Sequence, residues 1–400
     1  FGQPNLARTM RIIADADAAA FKKSGDRKAA IQAGRDAFYK GRIARKIVEF
    51  SQQNGGFLSL DDFSRHTSTW IEPVSTNYRG YDVWELPPNG QGIAALHMLN
   101  VLEAYDIKSL GPGSAEYLHL FVEGKKLTFA DRAVFYADPS FKPLPTAELI
   151  SKPYAAERRK LVTDTASLEL RPGSVEGFGA LVKLKEGAKL VAGMGAREPT
   201  VGRMGEVIGD TVHFDIVDKA GNMVTATPSG GWLQSSPVIP ELGFCLGTRG
   251  QMFWLEEGHP ASLAPGKRPR TTLSPTMALR DGDAYLAWGS PGGDQQDQWI
   301  TQFFLRHVHA NMNLQEAIDA PAWHSEHFPI SFWPRTSRPG VLQIESRVPQ
   351  ATRDELSRRG HKVEVEPEWS EGRLTAASKD GVRRKAAANP RGMQGYAAGR

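Results

Sequence analysis

The sequence predicts an α+β fold built in layers. Three observations carry that expectation. Apolar side chains recur at helical spacing through most of the first half. After position 210 short runs alternate apolar and polar residues, with Gly- and Asp-rich turns between them. A polar, Gly-rich stretch at 187–209 separates the two regimes and reads as a surface linker. Residues 1–210 therefore form a mostly helical part ending in that linker, and residues 211–400 a strand-rich part of the same domain.

In chain order, residues 6–23 carry a helical pattern that Gly25 stops. Residues 36–53 repeat it, with Phe38, Ile43, Ile47 and Phe50 on one face, until Asn54-Gly55-Gly56. Ser59 caps a short helix whose first turn holds Asp61 and Asp62, where carboxylates suit the helix dipole. Residues 73–86 alternate as a hairpin turning at Arg79-Gly80, and two long helical patterns follow at 92–105 and 114–136. Residues 212–217 and 223–227 make a second hairpin, and 276–280 with 284–288 a third, around Asp281-Gly282-Asp283. Helices are expected at 299–309, 314–320 and 349–359, a strand at 362–365, and a last hairpin around Asp380-Gly381.

Composition narrows the function classes. The 400 residues are 40% apolar and 24% charged, ordinary for a globular chain. No apolar run reaches the ~18 residues of a membrane span. The net charge of +4 comes from 49 basic and 45 acidic residues that are dispersed, whereas a nucleic-acid surface needs a concentrated basic stripe. The single cysteine, Cys245, permits neither an intramolecular disulfide nor a thiolate metal cluster, and reads as a small core residue. Disulfide-free chains fit a reducing compartment, which tilts localisation toward the cytoplasm while a periplasmic location stays open. The chain opens at Phe1 without an initiator Met or a signal peptide, as a processed chain or a fragment does.

Four stretches bear on chemistry. They are Asp36-Ala37-Phe38-Tyr39-Lys40-Gly41-Arg42-Ile43-Ala44, Gly209-Asp210-Thr211-Val212-His213-Phe214-Asp215-Ile216-Val217-Asp218, Pro265-Gly266-Lys267-Arg268-Pro269-Arg270-Thr271-Thr272-Leu273-Ser274-Pro275-Thr276, and Gly289-Ser290-Pro291-Gly292-Gly293. In this order and spacing they resemble the γ-glutamyltransferase (glutathione hydrolase) family of N-terminal-nucleophile hydrolases, within its lid-less, cephalosporin-acylase-like subgroup. The resemblance covers essentially the whole chain. It implies a four-layer αββα sandwich and a precursor that cuts itself between Asp210 and Thr211 into a large and a small subunit. It also implies that members extend well upstream of the position of Phe1, so these 400 residues are expected to lack the N-terminal portion of the sandwich.

The resemblance assigns roles residue by residue. Thr211 becomes the nucleophile once it is a new N-terminus. An alkyl hydroxyl is a poor nucleophile at neutral pH, but a freed α-amine titrating near ~8 can accept its proton. Gly292 and Gly293 match the oxyanion-hole glycines, whose bare backbone approaches the substrate closely. Ser229 stands where the family usually has a Thr that orients the nucleophile. Thr271 and Thr272 match a hydroxyl pair that helps hold a substrate carboxylate. His213 faces the same side as Thr211 and reads as packing or support. His307, His309, His324 and His327 do not share a ligand geometry, and neither metal nor cofactor is expected.

Departures from the family bear on substrate. An Asn, a Gln and an Asp hold the α-ammonium in typical members. Gly231, Arg249 and Met252 stand at those positions in this chain, and none can do that. The 253–267 loop is also shorter than the lid of typical members. An open pocket admits water, so hydrolysis is expected over transfer. The substrate is a small-molecule γ-glutamyl amide or a related acyl amide such as a glutaryl amide, with Arg249 pairing a substrate carboxylate. The alternative is an unprocessed, inactive binding or scaffold member, which the lost ammonium ligands favour and the intact Thr211, Ser229, Gly292 and Gly293 oppose.

Overall fold

The computed structural model describes residues 2–178, 211–230, 237–333, 335–391 and 395–399. The linker at 187–209, Asp210 and Gly231 lie outside the described residues. The chain divides into two compact units, Phe1–Ile71 with Gly230–Thr248, and Glu72–Ser229 with Arg249–Arg400.

The first unit is helical. Helix α1 (Pro4–Ser24) ends at Gly25, whose φ of 66° is the left-handed conformation glycine adopts freely. Asp26 caps α2 (Arg27–Tyr39) by accepting from the amides of Lys28 and Ala29. Helix α3 (Arg42–Gln53) begins after Gly41, so the single run expected over 36–53 is two helices. The physical reason lies at Gly41: a Cβ there would sit 2.3 Å from the Ala37 carbonyl oxygen, and only glycine permits that chain break. Ser59 and Asp62 cap each other at the start of α4 (Leu60–Arg65). Ile43 and Ile47 of α3 bury against Ile239 and Leu242, beside a short ladder of Val238–Ile239 with Phe244–Cys245.

The second unit is built on an antiparallel sheet. Strands β1 (Val74–Tyr78) and β2 (Tyr81–Glu85) form the expected hairpin, with Arg79 and Gly80 both at positive φ. Helices α5 (Ile93–Leu102) and α6 (Ala115–Phe135) are buried almost all round, α5 because it is apolar and α6 although it carries Glu123, Lys125, Lys126, Asp131 and Arg132, which need buried partners. Helix α7 (Lys152–Arg159), which periodicity did not announce, has only Ala155 and Arg158 buried and so shows little apolar stripe.

Strands β3 (Phe214–Val217) and β4 (Met223–Ala226) pair only with each other among the described residues. Then come β5 (Thr276–Arg280), β6 (Asp283–Gly289), α8 (Gln296–His309) and α9 (Leu314–Asp319). The chain closes with β7 (Trp323–Ser325), β8 (Val341–Glu345), α10 (Gln350–Arg358), β9 (Lys362–Glu366), β10 (Thr375–Asp380) and β11 (Arg383–Ala388).

The main sheet runs β1-β2-β5-β6-β10-β11, each neighbour antiparallel. A smaller sheet orders β9-β8-β7, with β8 and β9 parallel across α10. Helix α8 packs on the main sheet through Phe304, whose ring stacks on Trp288 of β6 at 5.1 Å.

Candidate active site

The nucleophile candidate sits where the β3–β4 ladder opens. Phe214 lies opposite Ala226. Stepping one residue outward on each strand sets His213 opposite Thr227, and stepping three sets Thr211 opposite Ser229. The hydrogen bonds agree. Thr211 Oγ1 and Ser229 Oγ lie 2.8 Å apart, His213 Nδ1 and Thr227 Oγ1 2.7 Å apart, and the Val212 amide donates to the Pro228 carbonyl at 3.1 Å. Strand periodicity therefore stacks Thr211, His213 and Asp215 on one face, facing Ser229, Thr227 and Thr225. Val212, Phe214, Ile216 and Val224 line the other face and are exposed.

The polar face is pressed onto the main sheet. The His213 ring is fully buried, and its Nε2 lies 3.0 Å from each Asp215 oxygen. Asp215 also accepts from Thr375 of β10 at 2.8 Å. Gly289, paired with Thr375 across the sheet, lies against the imidazole: a Cβ on Gly289 would fall 2.2 Å from His213 Cε1.

Three residues beyond Gly289 comes the glycine pair. Gly292 has a φ of 139° and Gly293 a φ of 50°, and the turn runs straight into α8. A Cβ on Gly292 would lie 2.4 Å from the Trp299 ring. Extended chain reaches at most ~3.5 Å per residue, so Gly292 stands within ~11 Å and Gly293 within ~14 Å of the Gly289 backbone beside His213.

A buried polar network holds this turn. Asp294 accepts from Arg132 of α6, and from the Ser331 amide at 2.7 Å. Gln91 Oε1 accepts from Arg132 at 3.0 Å and from Arg270 at 2.9 Å, while Arg270 also donates to Ser331 Oγ at 2.7 Å. Asp297 accepts from Gln91 at 2.5 Å and from Ser274 at 2.7 Å. Burial alone would raise the Asp294 carboxyl, but Arg132 and Arg270 hold it below the usual carboxylate range. Asp297 is pushed up to about 7 by burial, against the hydrogen bond from Ser274. Arg270 is drawn down to about 9 by burial and by the like charge of Arg132.

Comparison with known proteins places the chain. The family model described as gamma-glutamyltranspeptidase matches residues 1–399. The chain belongs to the gamma-glutamyltranspeptidase family. It is 34% identical over 341 residues to the Acylase ACY 1 proenzyme of Pseudomonas sp. (strain SE83), covering 85% of this chain and 54% of that protein. It is 33% identical to the Glutathione hydrolase-like YwrD proenzyme of Bacillus subtilis, covering 83% and 56%. The solved cephalosporin acylase from Bacillus halodurans superposes with a TM-score of 0.75 at 30% identity, over 93% of this chain and 61% of that one. The chain thus spans little more than half the length of the curated relatives it matches, which are named proenzymes. Its mixed helix-and-sheet fold is that of the gamma-glutamyltranspeptidase and acylase family.

The substrate-binding candidates form a second group. Arg249 opens a 3-10 turn, Arg249–Met252, and its Nη1 donates to Thr272 Oγ1 at 3.3 Å, beside Met252 Sδ at 3.5 Å and the Phe332 ring. Thr272 is buried, whereas Thr271 is half-buried and its amide donates to Asn89 at 2.9 Å. Arg335 ties this turn to the network around Asp294: it donates to the carbonyls of Ser331 (2.8 Å) and Gln251 (3.4 Å).

Gln91, Arg132, Arg270, Asp294, Asp297, Ser331 and Arg335 were not legible as site residues. The one signal was the run Gly293-Asp294-Gln295-Gln296-Asp297-Gln298, a strongly polar helix start that is nonetheless buried. The histidines weighed for metal are engaged separately. His307 meets Tyr285 and the Met312 carbonyl, His309 meets Tyr78, His324 meets Glu371, and His327 meets the Glu169 carbonyl.

His119, Glu123 and His361 do come within 4.8 Å of one another. Glu123 there already neutralises Lys126 (2.6 Å) and Arg171 (3.2 Å), and these cations oppose a further positive charge. His119 bonds the Thr163 carbonyl and His361, a chain that satisfies its two ring nitrogens.

Proposed function

We propose that this chain carries the catalytic part of a self-processing amide hydrolase in which Thr211 is the nucleophile. The pairing of Thr211 with Ser229 at 2.8 Å carries the reading, because it orients a hydroxyl at the first described position after the expected cut. Cleavage after Asp210 frees an α-amine, which takes the hydroxyl proton as Thr211 attacks an acyl carbon. Ser229 holds the rotamer of Thr211, and the amides of Gly292 and Gly293 receive the oxyanion. The network around Asp294 keeps that turn from relaxing between turnovers. The large and small parts left by cleavage remain layers of one four-layer αββα sandwich.

Arg249, with Thr272 beside it and Thr271 next in the chain, binds a carboxylate on the acyl group. A cation at this place repels a substrate ammonium and welcomes a glutaryl-type acid. The 253–267 loop is short, water reaches the acyl-enzyme, and hydrolysis outruns transfer.

The intact mass of the purified protein, beside Thr211→Ala, tests the reading. Two fragments meeting at the 210–211 bond are expected from the parent and one whole chain from the variant. The cleaved parent should release aniline from a glutaryl anilide faster than from a γ-glutamyl anilide. A variant that still cleaves at that bond would rule Thr211 out.

A further inference from the structure

Resting on the reading of Thr211 as nucleophile, we propose that the buried His213–Asp215 pair takes up the Thr211 proton during self-cleavage, acting through the hydroxyls of Thr227 and Ser229. The need for it follows from the chemistry. In the cleaved protein the α-amine of Thr211 is the base. Before cleavage that same nitrogen belongs to a peptide bond, its lone pair is delocalised, and it cannot accept a proton. The first turnover therefore requires a base that later turnovers do not.

The nucleophile's face of the β3–β4 ladder offers one imidazole. The two Asp215 oxygens, each at 3.0 Å, accept the Nε2 proton of His213 and leave the lone pair on Nδ1. That lone pair meets Thr227 Oγ1 at 2.7 Å. One step along the ladder, Ser229 Oγ meets Thr211 Oγ1 at 2.8 Å. Thr227 and Ser229 are next neighbours on one face, ~7 Å apart between Cα atoms, a spacing that one water molecule spans between their hydroxyls. The ring fills the space beside Gly289 that a Cβ would take, and its hydrogen bonds to Thr227 and Asp215 hold it in place. Thr375 donates to Asp215 at 2.8 Å and keeps the carboxylate aimed at the imidazolium that forms.

The step balances. Thr211 Oγ bonds to the carbonyl carbon of residue 210 while its proton passes through Ser229, a bridging water and Thr227 to His213 Nδ1, and the carbonyl electron pair moves onto oxygen. Collapse breaks the C–N bond between residues 210 and 211, and the proton on His213 returns to the departing nitrogen, which becomes the amine. The ester left on Thr211 is then hydrolysed by water, giving a carboxyl at 210 and a free Thr211 hydroxyl. His213 is a positioning residue in this scheme, acting through Thr227.

The test follows the appearance of the two fragments by mass after the full chain is refolded from denaturant. It compares the parent with Thr211→Ala, His213→Asn, Asp215→Asn and Thr227→Val. Asn at 213 keeps a polar group near the Nδ1 position but is no base. Self-cleavage is expected to slow on the order of 100-fold in His213→Asn. Hydrolysis of the anilide by the material that does cleave should fall by a factor at least ten times smaller, because the α-amine has taken over. Equal cleavage rates in parent and His213→Asn would overturn the proposal, as would matching losses in cleavage and turnover. Should His213→Asn not refold, Thr227→Val decides, since it removes the relay hydroxyl and keeps the imidazole and its Asp215 partner: slowed cleavage supports the proposal and an unchanged rate overturns it. A parent that stays whole overturns the Thr211 reading and this proposal together.

Discussion

At the scale of single residues, two glycines leave room for bulky rings near the candidate nucleophile. Gly289 makes room for His213, and Gly292 lies under the Trp299 ring at a φ of 139° that side-chain-bearing residues rarely adopt. Two penalties coincide at Gly292, backbone strain and a contact at 2.4 Å, and the neighbour that would have to yield is an indole locked in the core. Gly292→Ala should therefore cost about 2–4 kcal/mol in a urea titration. It should also lower anilide hydrolysis, because the amides proposed to receive the oxyanion are displaced with the ring. A stability within ~0.5 kcal/mol of the parent would mean that the turn relaxes freely and the strain argument fails.

At the scale of elements, the start of α8 is held from outside. The Gly293–Gln295 turn that leads into α8 is anchored by Asp294, whose carboxylate accepts from Arg132 of α6 and from the Ser331 amide. Arg132 and Asp294 are both fully buried, so removing one strands the other without water. Asp294→Asn is expected to cost about 3–5 kcal/mol, and adding Arg132→Met should restore part of that loss, a non-additivity that a double-mutant cycle measures. Simple addition of the two losses would show that the pair is not coupled. The same scale explains why 36–53 reads as one helix and folds as two. Apolar spacing continues across Gly41, but the backbone crowding against Ala37 that breaks it leaves no mark in the periodicity.

At the scale of the molecule, buried imidazoles set the response to pH. Burial pulls His97 and His327 down to about 3, His259 and His309 to about 4, and His361 to about 2. A histidine whose folded pKa is depressed contributes stability above its unfolded value of ~6.5 and loses it as pH falls toward the folded value. His324 runs the other way. Burial lowers it, but Glu371 at 2.6 Å and Glu326 outweigh burial and raise it to about 9, so its contribution is full below ~6.5 and fades as pH climbs through 9. The unfolding midpoint should therefore fall steeply between pH 6.5 and 4 and more gently between 6.5 and 9. His324→Gln should flatten the alkaline limb alone. A midpoint that is level from pH 6.5 down to 4 would contradict the neutral, buried state of these five rings.

What the sequence determined by itself is local and repetitive. Turn residues and alternation located the hairpins at 74–85, 214–226, 276–289 and 375–388, and four short motifs identified the family and its catalytic threonine candidate. Spacing along a strand was enough to put His213 on the face of Thr211. The tertiary structure alone decided what that face meets. Gly289 lies against His213 and Thr375 bonds the Asp215 that faces it, while Arg132 bonds Asp294 directly and Arg270 and Gln91 bond its partners Ser331 and Arg132. Periodicity records which way a side chain points relative to its own element. It carries no trace of the partner that a different element will bring against it, and buried charge is stable only when that partner arrives.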